Sequence, residues 1–248
     1  MFISKSELGT KSNLVVGGTE TIDRSVSGIG TVIYEHRTVR RVFVTLTATI
    51  GWLALGLLLY IAIDHSLARG RTVPHILTFY FSLFTVLTNI LVAFVLTSSL
   101  FVSDPKNFFL RPNMQSAVVV FIVFVGFIDF IFLDGLGKAH GLKLIAESLL
   151  HVVIPILYII YWIVFVPKGT LLWINPFSSW LVYPLAYFSY ILLRGVLTDK
   201  YPYRFINARI FGYKYVLLHA TELLFVFVVL GLLVVAIDQW VGARKVTP

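Results

Sequence analysis

The sequence predicts an all-α, polytopic integral membrane protein in which six transmembrane helices form one bundle. Of its 248 residues, 58% are hydrophobic and only 13% are charged, and the mean hydropathy is +0.89. A soluble domain needs more charge at its surface than this. The apolar residues form continuous runs without strict alternation, a pattern that selects helices over a closed barrel inside a bilayer.

Six apolar runs are separated by clusters of charged residues, Pro and Gly. Each run is close to the ~20 residues that a helix needs to cross ~30 Å of hydrocarbon. Because the runs occupy most of the chain, they leave no room for a soluble domain. The runs are Val42–Ile63, Ile76–Val102, Ala117–Leu133, Leu144–Val166, Trp180–Leu197 and Val216–Ile237.

Residues 1–35 are polar and rich in Gly, Ser and Thr, which predicts a disordered N-terminal tail ahead of a transmembrane domain at 36–248. Arg37, Arg40 and Arg41 stand directly before the first run, so the positive-inside rule predicts a cytoplasmic N-terminus. Six spans return the C-terminus to the same side. We expect the cell (plasma) membrane as the location.

The net charge of +8 does not predict a nucleic-acid partner. Lys and Arg are scattered through the tail and short loops, whereas a nucleic-acid site gathers them on one face. Lys and Arg residues that lie beside the ends of membrane spans explain this distribution better. The chain has no Cys, which excludes disulfides, thiolate metal sites and a cysteine nucleophile.

The second run carries a polar stripe on an otherwise apolar helix. Thr78, Ser82, Thr85 and Asn89 recur at offsets of four, three and four residues, which places them on one helical face. Interhelical hydrogen bonding would account for such a stripe. A functional site would account for it equally.

The fourth run carries Glu147 and His151 one helical turn apart, followed four residues later by Pro155. Ionisable groups inside a membrane span are costly, so they face a protein interior or a wet cavity. Pro155 has no N–H for the carbonyl of His151, and we expect the helix to bend there.

The third, fifth and sixth runs add further ionisable groups. If the spans alternate in direction, these groups share one depth layer with Thr85 and His151, which lie ~13 and ~10 Å below the same surface at ~1.5 Å per residue. The layer predicts a polar cavity in one half of the bilayer, the outer half if the termini are cytoplasmic. The added groups are Asp129, Arg194, His219 and Glu222.

This layer would support ester hydrolysis by a threonine nucleophile. A neutral His can take the proton of a hydroxyl near pH 7, and a carboxylate can hold the imidazole in the correct tautomer. Thr85 would be the nucleophile and His151 the base, with Glu147, Asp129 or Glu222 as the orienting acid. Because unbroken helices offer no free amides, Asn89, Thr88 or a tyrosine hydroxyl would stabilise the oxyanion. The expected partner is a membrane lipid or fatty acyl ester, with no cofactor.

The alternative is a non-catalytic membrane protein that uses the same residues, either as a transporter or as a metal or lipid binder. His151, His219, Glu147 and Glu222 form a mixed imidazole and carboxylate set suited to a metal ion. Acidic and His residues also suit a proton or small-solute path, although no broken pair of spans or internal repeat marks a transporter. In a purely structural account, Arg194 neutralises Asp129 and the two glutamates.

The stretches LFTVLTNILVAF and ESLLHVVIPIL resemble the androgen-induced-gene family of six-span membrane proteins. The resemblance covers about residues 42–237, and the stretches WLVYPLAYFSYILLRG and YPYRF look closer to bacterial relatives with no assigned substrate. It implies a threonine hydrolase of fatty acid esters of hydroxy fatty acids, with Thr85 and His151 as the catalytic pair. The chain departs from the animal pattern in lacking a His-Gly-x-His context around His151.

Overall fold

The computed structural model describes residues 17–102, 104, 106–132 and 140–244. By its contacts the chain divides into two compact units, Met1–Val42 and Phe43–Pro248. Helix α1 begins at Gly17, within the predicted N-terminal tail, and residues 1–16 of that tail lie outside the described residues. All features discussed below belong to the second unit.

The described residues are helical, with short 3-10 turns between some of the helices and no strand. A π-turn at Leu149–Val153 joins α5 to α6. Four 3-10 turns lie in the connections, at Phe108–Leu110, Asn175–Phe177, Ser179–Leu181 and Arg204–Ile206. The helices are α1 (Gly17–Leu67), α2 (Val73–Tyr80), α3 (Phe84–Phe101), α4 (Pro112–Phe132), α5 (Gly141–Ser148), α6 (Ile154–Phe165), α7 (Val182–Thr198) and α8 (Ala208–Arg244).

Six helical segments in this part of the chain are long and apolar enough to cross a bilayer, which confirms the predicted fold class. Each of the six apolar runs contributes one span, so the protein is a multi-pass membrane protein. The spans are Arg37–Leu67, Phe84–Phe101, Pro112–Ile131, Gly141–Phe165, Ser179–Thr198 and Ala208–Arg244.

Helix α4 forms the centre of the bundle. Its residues 117–122 are all buried, as expected of a helix that is apolar on every side and packed on every side. It packs against α3, α6 and α8. The candidate site is assembled from these helices around the end of α4.

The second run is not one helix. Helix α2 ends at Tyr80 and α3 begins at Phe84, with Leu83 in an extended conformation between them. A break directly before a membrane span leaves backbone groups that need partners from elsewhere. Here the hydroxyl of Tyr187 donates to the carbonyl of Ser82 at 2.8 Å, and the N–H of Phe84 donates to the hydroxyl of Tyr203 at 2.9 Å.

The irregularity expected near Pro155 is the π-turn at Leu149–Val153. In this turn the N–H of Ile154 donates to the carbonyl of Leu149, one residue further back than in an α-helix. The carbonyl of Leu150 is thereby released from the helix, and it accepts a hydrogen bond from Nδ2 of Asn89 at 3.3 Å. The π-turn therefore joins α3 to the fourth span beside His151.

At the other end of the bundle, a buried carboxylate holds the loop after α6. Oδ2 of Asp238, on α8, accepts hydrogen bonds of 2.9 to 3.0 Å from the N–H groups of Gly169, Thr170 and Leu171. Three backbone donors offset much of the cost of burying a carboxylate. This contact ties the loop to α8 and explains an acidic residue late in the sixth span.

Candidate functional site

Thr85 and His151 are in contact. Thr85 lies in the first turn of α3 and His151 lies in the π-turn. Oγ1 of Thr85 is 3.3 Å from Nε2 of His151. Two residues that are 66 positions apart in sequence thus form a hydroxyl–imidazole pair inside the membrane domain.

The tautomer of His151 follows from its second contact. Its Nδ1 lies 3.0 Å from the backbone carbonyl oxygen of Glu147. A carbonyl only accepts hydrogen bonds, so Nδ1 carries the proton in the neutral ring. Nε2 then presents its lone pair to the hydroxyl of Thr85, which is the arrangement that a general base requires.

Asp129 is the one predicted carboxylate that approaches this pair. It is buried, and its Oδ1 is 3.9 Å from Nε2 of His151. It faces the same nitrogen as Thr85, so it does not fix the tautomer as the acid of a Ser-His-Asp triad does. Its position instead suits it to stabilise the imidazolium that forms when His151 takes a proton.

The carboxylate of Glu147 does not orient His151, although its backbone carbonyl does. The side chain of Glu147 pairs with Lys143 at 3.5 Å. It lines a second cavity of about 390 Å³, together with His65 and Arg69. The prediction that a glutamate carboxylate orients the base is therefore wrong for Glu147.

The expectation that backbone amides are unavailable near Thr85 is also wrong, because α3 begins at Phe84. The first N–H groups of a helix have no partner within it, and the helix dipole favours negative charge there. The depth predicted for Thr85 rested on a continuous helix from residue 76, which the break at Leu83 removes. Thr85 is the second residue of its span.

Tyr203 is the main site residue that the sequence did not single out. It is buried, and besides accepting from Phe84 its hydroxyl interacts with Thr85 and with the hydroxyl of Tyr187. Burial raises the pKa of Tyr203, and the hydrogen bonds from Thr85 and Phe84 oppose part of that rise. The hydroxyl therefore keeps its proton at neutral pH. The only available signal was the YPYRF stretch after the fifth run.

Asn89 supports the site rather than lining it. Its Nδ2 donates to the carbonyl of Thr85 at 2.9 Å as well as to Leu150. Both amide hydrogens are used in this way, so Asn89 has none to offer an oxyanion. The hydroxyl of Thr88 is also engaged, because it lies 3.0 Å from the hydroxyl of Tyr183.

Gly126 lets α4 approach the π-turn closely. A Cβ atom at this position would lie 2.9 Å from the carbonyl oxygen of His151. That oxygen belongs to the backbone and cannot move without moving the turn. A glycine at position 126 is thus a condition for the observed placement of His151.

The cavity beside Thr85 has a volume of about 250 Å³ and is mostly apolar, so the prediction of a polar cavity is wrong for it. Its walls come mainly from α4, α7 and α8, and Tyr187 and Tyr203 also line it. Leu185 of α7 and Leu217 of α8 line the cavity while being 47% and 54% exposed. Because both belong to membrane spans, the cavity opens between α7 and α8 toward the lipid.

Three further predicted site residues are not brought to the pair. Arg194 is buried and donates from Nη1 to the carbonyl of Lys200 at 2.7 Å. It makes no ion pair with Asp129 or the glutamates among the described residues, so the neutralising role predicted for it is wrong. His219 and Glu222 pair with each other at 2.8 Å on α8 and do not line the cavity.

The four residues considered as metal ligands are also dispersed. Within the described ranges, no group of three His, Asp, Glu or Cys side chains is placed to hold a metal ion. His151 faces Thr85 and Asp129, whereas Glu147, His219 and Glu222 are engaged elsewhere. The arrangement at Thr85 is a hydroxyl–imidazole pair with a buried carboxylate nearby, beside an apolar cavity.

Comparison of the chain with protein-family models, with curated proteins and with solved structures finds no match. The resemblance to the androgen-induced-gene family therefore stays a prediction.

Proposed function

We propose that the protein is a membrane-embedded lipid ester hydrolase with Thr85 as nucleophile and His151 as general base. The observation that carries this proposal is the 3.3 Å contact between Oγ1 of Thr85 and Nε2 of His151, beside an apolar cavity. The family resemblance of the sequence supports the same chemistry. It does so at the same two residues.

In the first half of the reaction, Oγ1 of Thr85 attacks the ester carbonyl while its proton passes to Nε2 of His151. Asp129 stabilises the resulting imidazolium, and the N-terminus of α3 favours the negative charge that develops near Thr85. Collapse of the tetrahedral intermediate expels the alcohol, which takes the proton from His151. Water then hydrolyses the acyl-threonine with His151 again acting as base.

The cavity favours a substrate that approaches from the bilayer. Its opening between α7 and α8 lies among residues of membrane spans, where an acyl chain stays in apolar surroundings as it reaches Thr85. A water-soluble ester would have to leave water for a wall that is mostly apolar, with only a few hydroxyl groups to replace its hydration. We therefore assign a long-chain acyl ester as the substrate class.

The proposal is tested with purified protein in nanodiscs containing a fluorogenic long-chain acyl ester. Thr85→Ser keeps a hydroxyl and retains turnover, whereas Thr85→Val keeps the branched shape without the hydroxyl and loses it. Equal turnover in Thr85→Val and the wild type would overturn the proposal. Thermal unfolding of each variant shows whether the fold is retained.

We further propose that the protein resides in the plasma membrane with both termini in the cytoplasm, as its arginine-rich start favours. Because the chain has no Cys, single cysteines report topology without background. With this orientation, an impermeant maleimide added to intact cells labels Lys200→Cys and leaves Lys106→Cys unlabelled. The reverse pattern would invert the orientation.

A further inference from the structure

Tyr203 lies beside both Thr85 and the apolar cavity. Its hydroxyl accepts the N–H of Phe84 at 2.9 Å, the residue next to Thr85, and Tyr203 and Thr85 both line the apolar cavity. Its hydroxyl also contacts the hydroxyls of Thr85 and Tyr187. Because the proton of Tyr187 goes to the carbonyl of Ser82 and that of Thr85 faces His151, both of these oxygens can accept the proton of Tyr203.

The other side-chain donors near Thr85 are already engaged. The amide of Asn89 donates to the carbonyls of Thr85 and Leu150, and the hydroxyl of Tyr187 donates to the carbonyl of Ser82. The hydroxyl of Thr88 is paired with that of Tyr183. Among these polar side chains near Thr85, Tyr203 is the one whose proton has no fixed carbonyl acceptor in the described structure.

We propose that Tyr203 is a catalytic residue whose hydroxyl donates the hydrogen bond that stabilises the oxyanion formed when Thr85 attacks the ester. This inference rests on the proposed hydrolase function. As the bond from Oγ1 of Thr85 to the carbonyl carbon forms, the π electron pair of the carbonyl moves to its oxygen. That oxygen accepts a hydrogen bond from Tyr203, whose proton stays on the phenol throughout. When the carbonyl re-forms, the ester oxygen leaves with the proton that His151 holds.

The N–H of Phe84 has a separate part in this arrangement. By donating to the oxygen of Tyr203 it fixes the position of the phenol and makes the phenol a stronger donor, because hydrogen bonds in a chain polarise one another. The break before α3 is what frees this N–H. The break, the tyrosine and the nucleophile therefore form one unit.

The test compares Tyr203→Phe with the wild type in nanodiscs, using the fluorogenic acyl ester. A fluorophosphonate titration of each preparation counts active sites, so that turnover is expressed per competent site. Loss of one oxyanion donor lowers kcat by about 10²-fold, with KM little changed. A trifluoromethyl ketone inhibitor, which forms a tetrahedral adduct, weakens by a similar factor.

Tyr183→Phe is the matched control. Tyr183 is a partly buried tyrosine whose hydroxyl pairs with that of Thr88, so Tyr183→Phe removes a similar hydrogen bond at a position three residues after Thr85. Its turnover per site stays within about threefold of the wild type, a difference of less than 1 kcal/mol.

Full turnover per site in Tyr203→Phe, with the wild type active and the inhibitor binding unchanged, would overturn the role of Tyr203 and leave the proposed function standing. A wild type that neither titrates nor hydrolyses would overturn both. A lower melting temperature in Tyr203→Phe with normal turnover per site would show a purely structural tyrosine, which also contradicts the proposal.

Discussion

The reactivity proposed for Thr85 depends on the hydrogen bond between His151 and the backbone carbonyl of Glu147. His151 can accept a proton at Nε2 only because its Nδ1 donates to the carbonyl of Glu147. In the catalytic triad of serine proteases a carboxylate holds that position. Here a backbone carbonyl of the same helix performs the orientation, and the carboxylate of Asp129 lies on the other nitrogen.

This division of roles predicts different effects for two isosteric substitutions. Glu147→Gln leaves kcat within about twofold, because the backbone carbonyl is unchanged. Asp129→Asn removes the charge beside the imidazolium and lowers kcat about tenfold or more, which corresponds to ~1.4 kcal/mol of lost stabilisation. Steady-state kinetics of both variants on the acyl ester gives the comparison. A larger loss for Glu147→Gln than for Asp129→Asn would show that the assignment is reversed.

At the scale of the element, the site depends on two departures from regular helix. The break between α2 and α3 places Thr85 at a helix start, and the π-turn brings His151 toward it. Each departure is satisfied from a neighbouring element. Asn89 takes up the released carbonyl of Leu150, and Tyr187 and Tyr203 bind the backbone groups at the break.

A substitution at Gly126 can show whether the position of the π-turn matters for hydrolysis. Gly126→Ala places a methyl group 2.9 Å from the carbonyl oxygen of His151, which pushes the turn away from α4. We expect hydrolysis to fall at least tenfold and the protein to lose about 1 to 3 kcal/mol of stability, as overpacking typically costs. Thermal unfolding and ester turnover measure the two effects.

Gly56→Ala is the control for this substitution. A Cβ atom at Gly56 meets nothing within 4 Å, and alanine is favoured over glycine inside a helix by ~1 kcal/mol. Activity in this variant is unchanged and stability is equal or higher. If Gly126→Ala behaved like Gly56→Ala, the close approach of α4 to the π-turn would not be needed for activity.

The two departures also mark where sequence-based prediction stops. Pro155 predicts a departure from regular α-helix near His151, because proline has no backbone N–H to donate. At the break, however, Phe81, Ser82 and Leu83 contain no residue that ends a helix by itself. The break is stabilised by tyrosines about a hundred residues further along the chain, and such distant contacts leave no trace in local periodicity.

At the scale of the whole molecule, the six spans form a bundle around α4 with one apolar cavity opening to lipid beside Thr85. The number of spans was predictable, because each run has the length and composition that a bilayer imposes. Thr85, His151 and Asp129 lie together, but the depth from which this was predicted is wrong for Thr85, because α3 begins at Phe84 and Thr85 is the second residue of its span. Arg194, His219 and Glu222 lie elsewhere, because depth does not determine which way a side chain faces around its helix.

The lateral opening predicts a dependence on acyl chain length. Ala220 lines the cavity on α8, so Ala220→Phe fills part of it and hinders long chains. The ratio of turnover on a sixteen-carbon ester to that on a four-carbon ester falls about tenfold or more, since loss of a few buried methylenes at ~0.8 kcal/mol each reaches that size.

Val229→Phe is the control on the same helix, because Val229 is exposed and does not line the cavity. It leaves the ratio of the two turnovers unchanged. Equal ratios in Ala220→Phe and the wild type would mean that acyl chains reach Thr85 by another path.

The most direct test of Thr85 as the nucleophile is its covalent modification. Purified protein in nanodiscs is treated with a fluorophosphonate, and the modified residue is identified by mass spectrometry in the wild type, Thr85→Ala and His151→Ala. If His151 activates Thr85, we expect an adduct on Thr85 in the wild type, and none at this site in either variant while the fold is retained. A wild type that never reacts, or variants that react as fast as the wild type, would contradict this assignment.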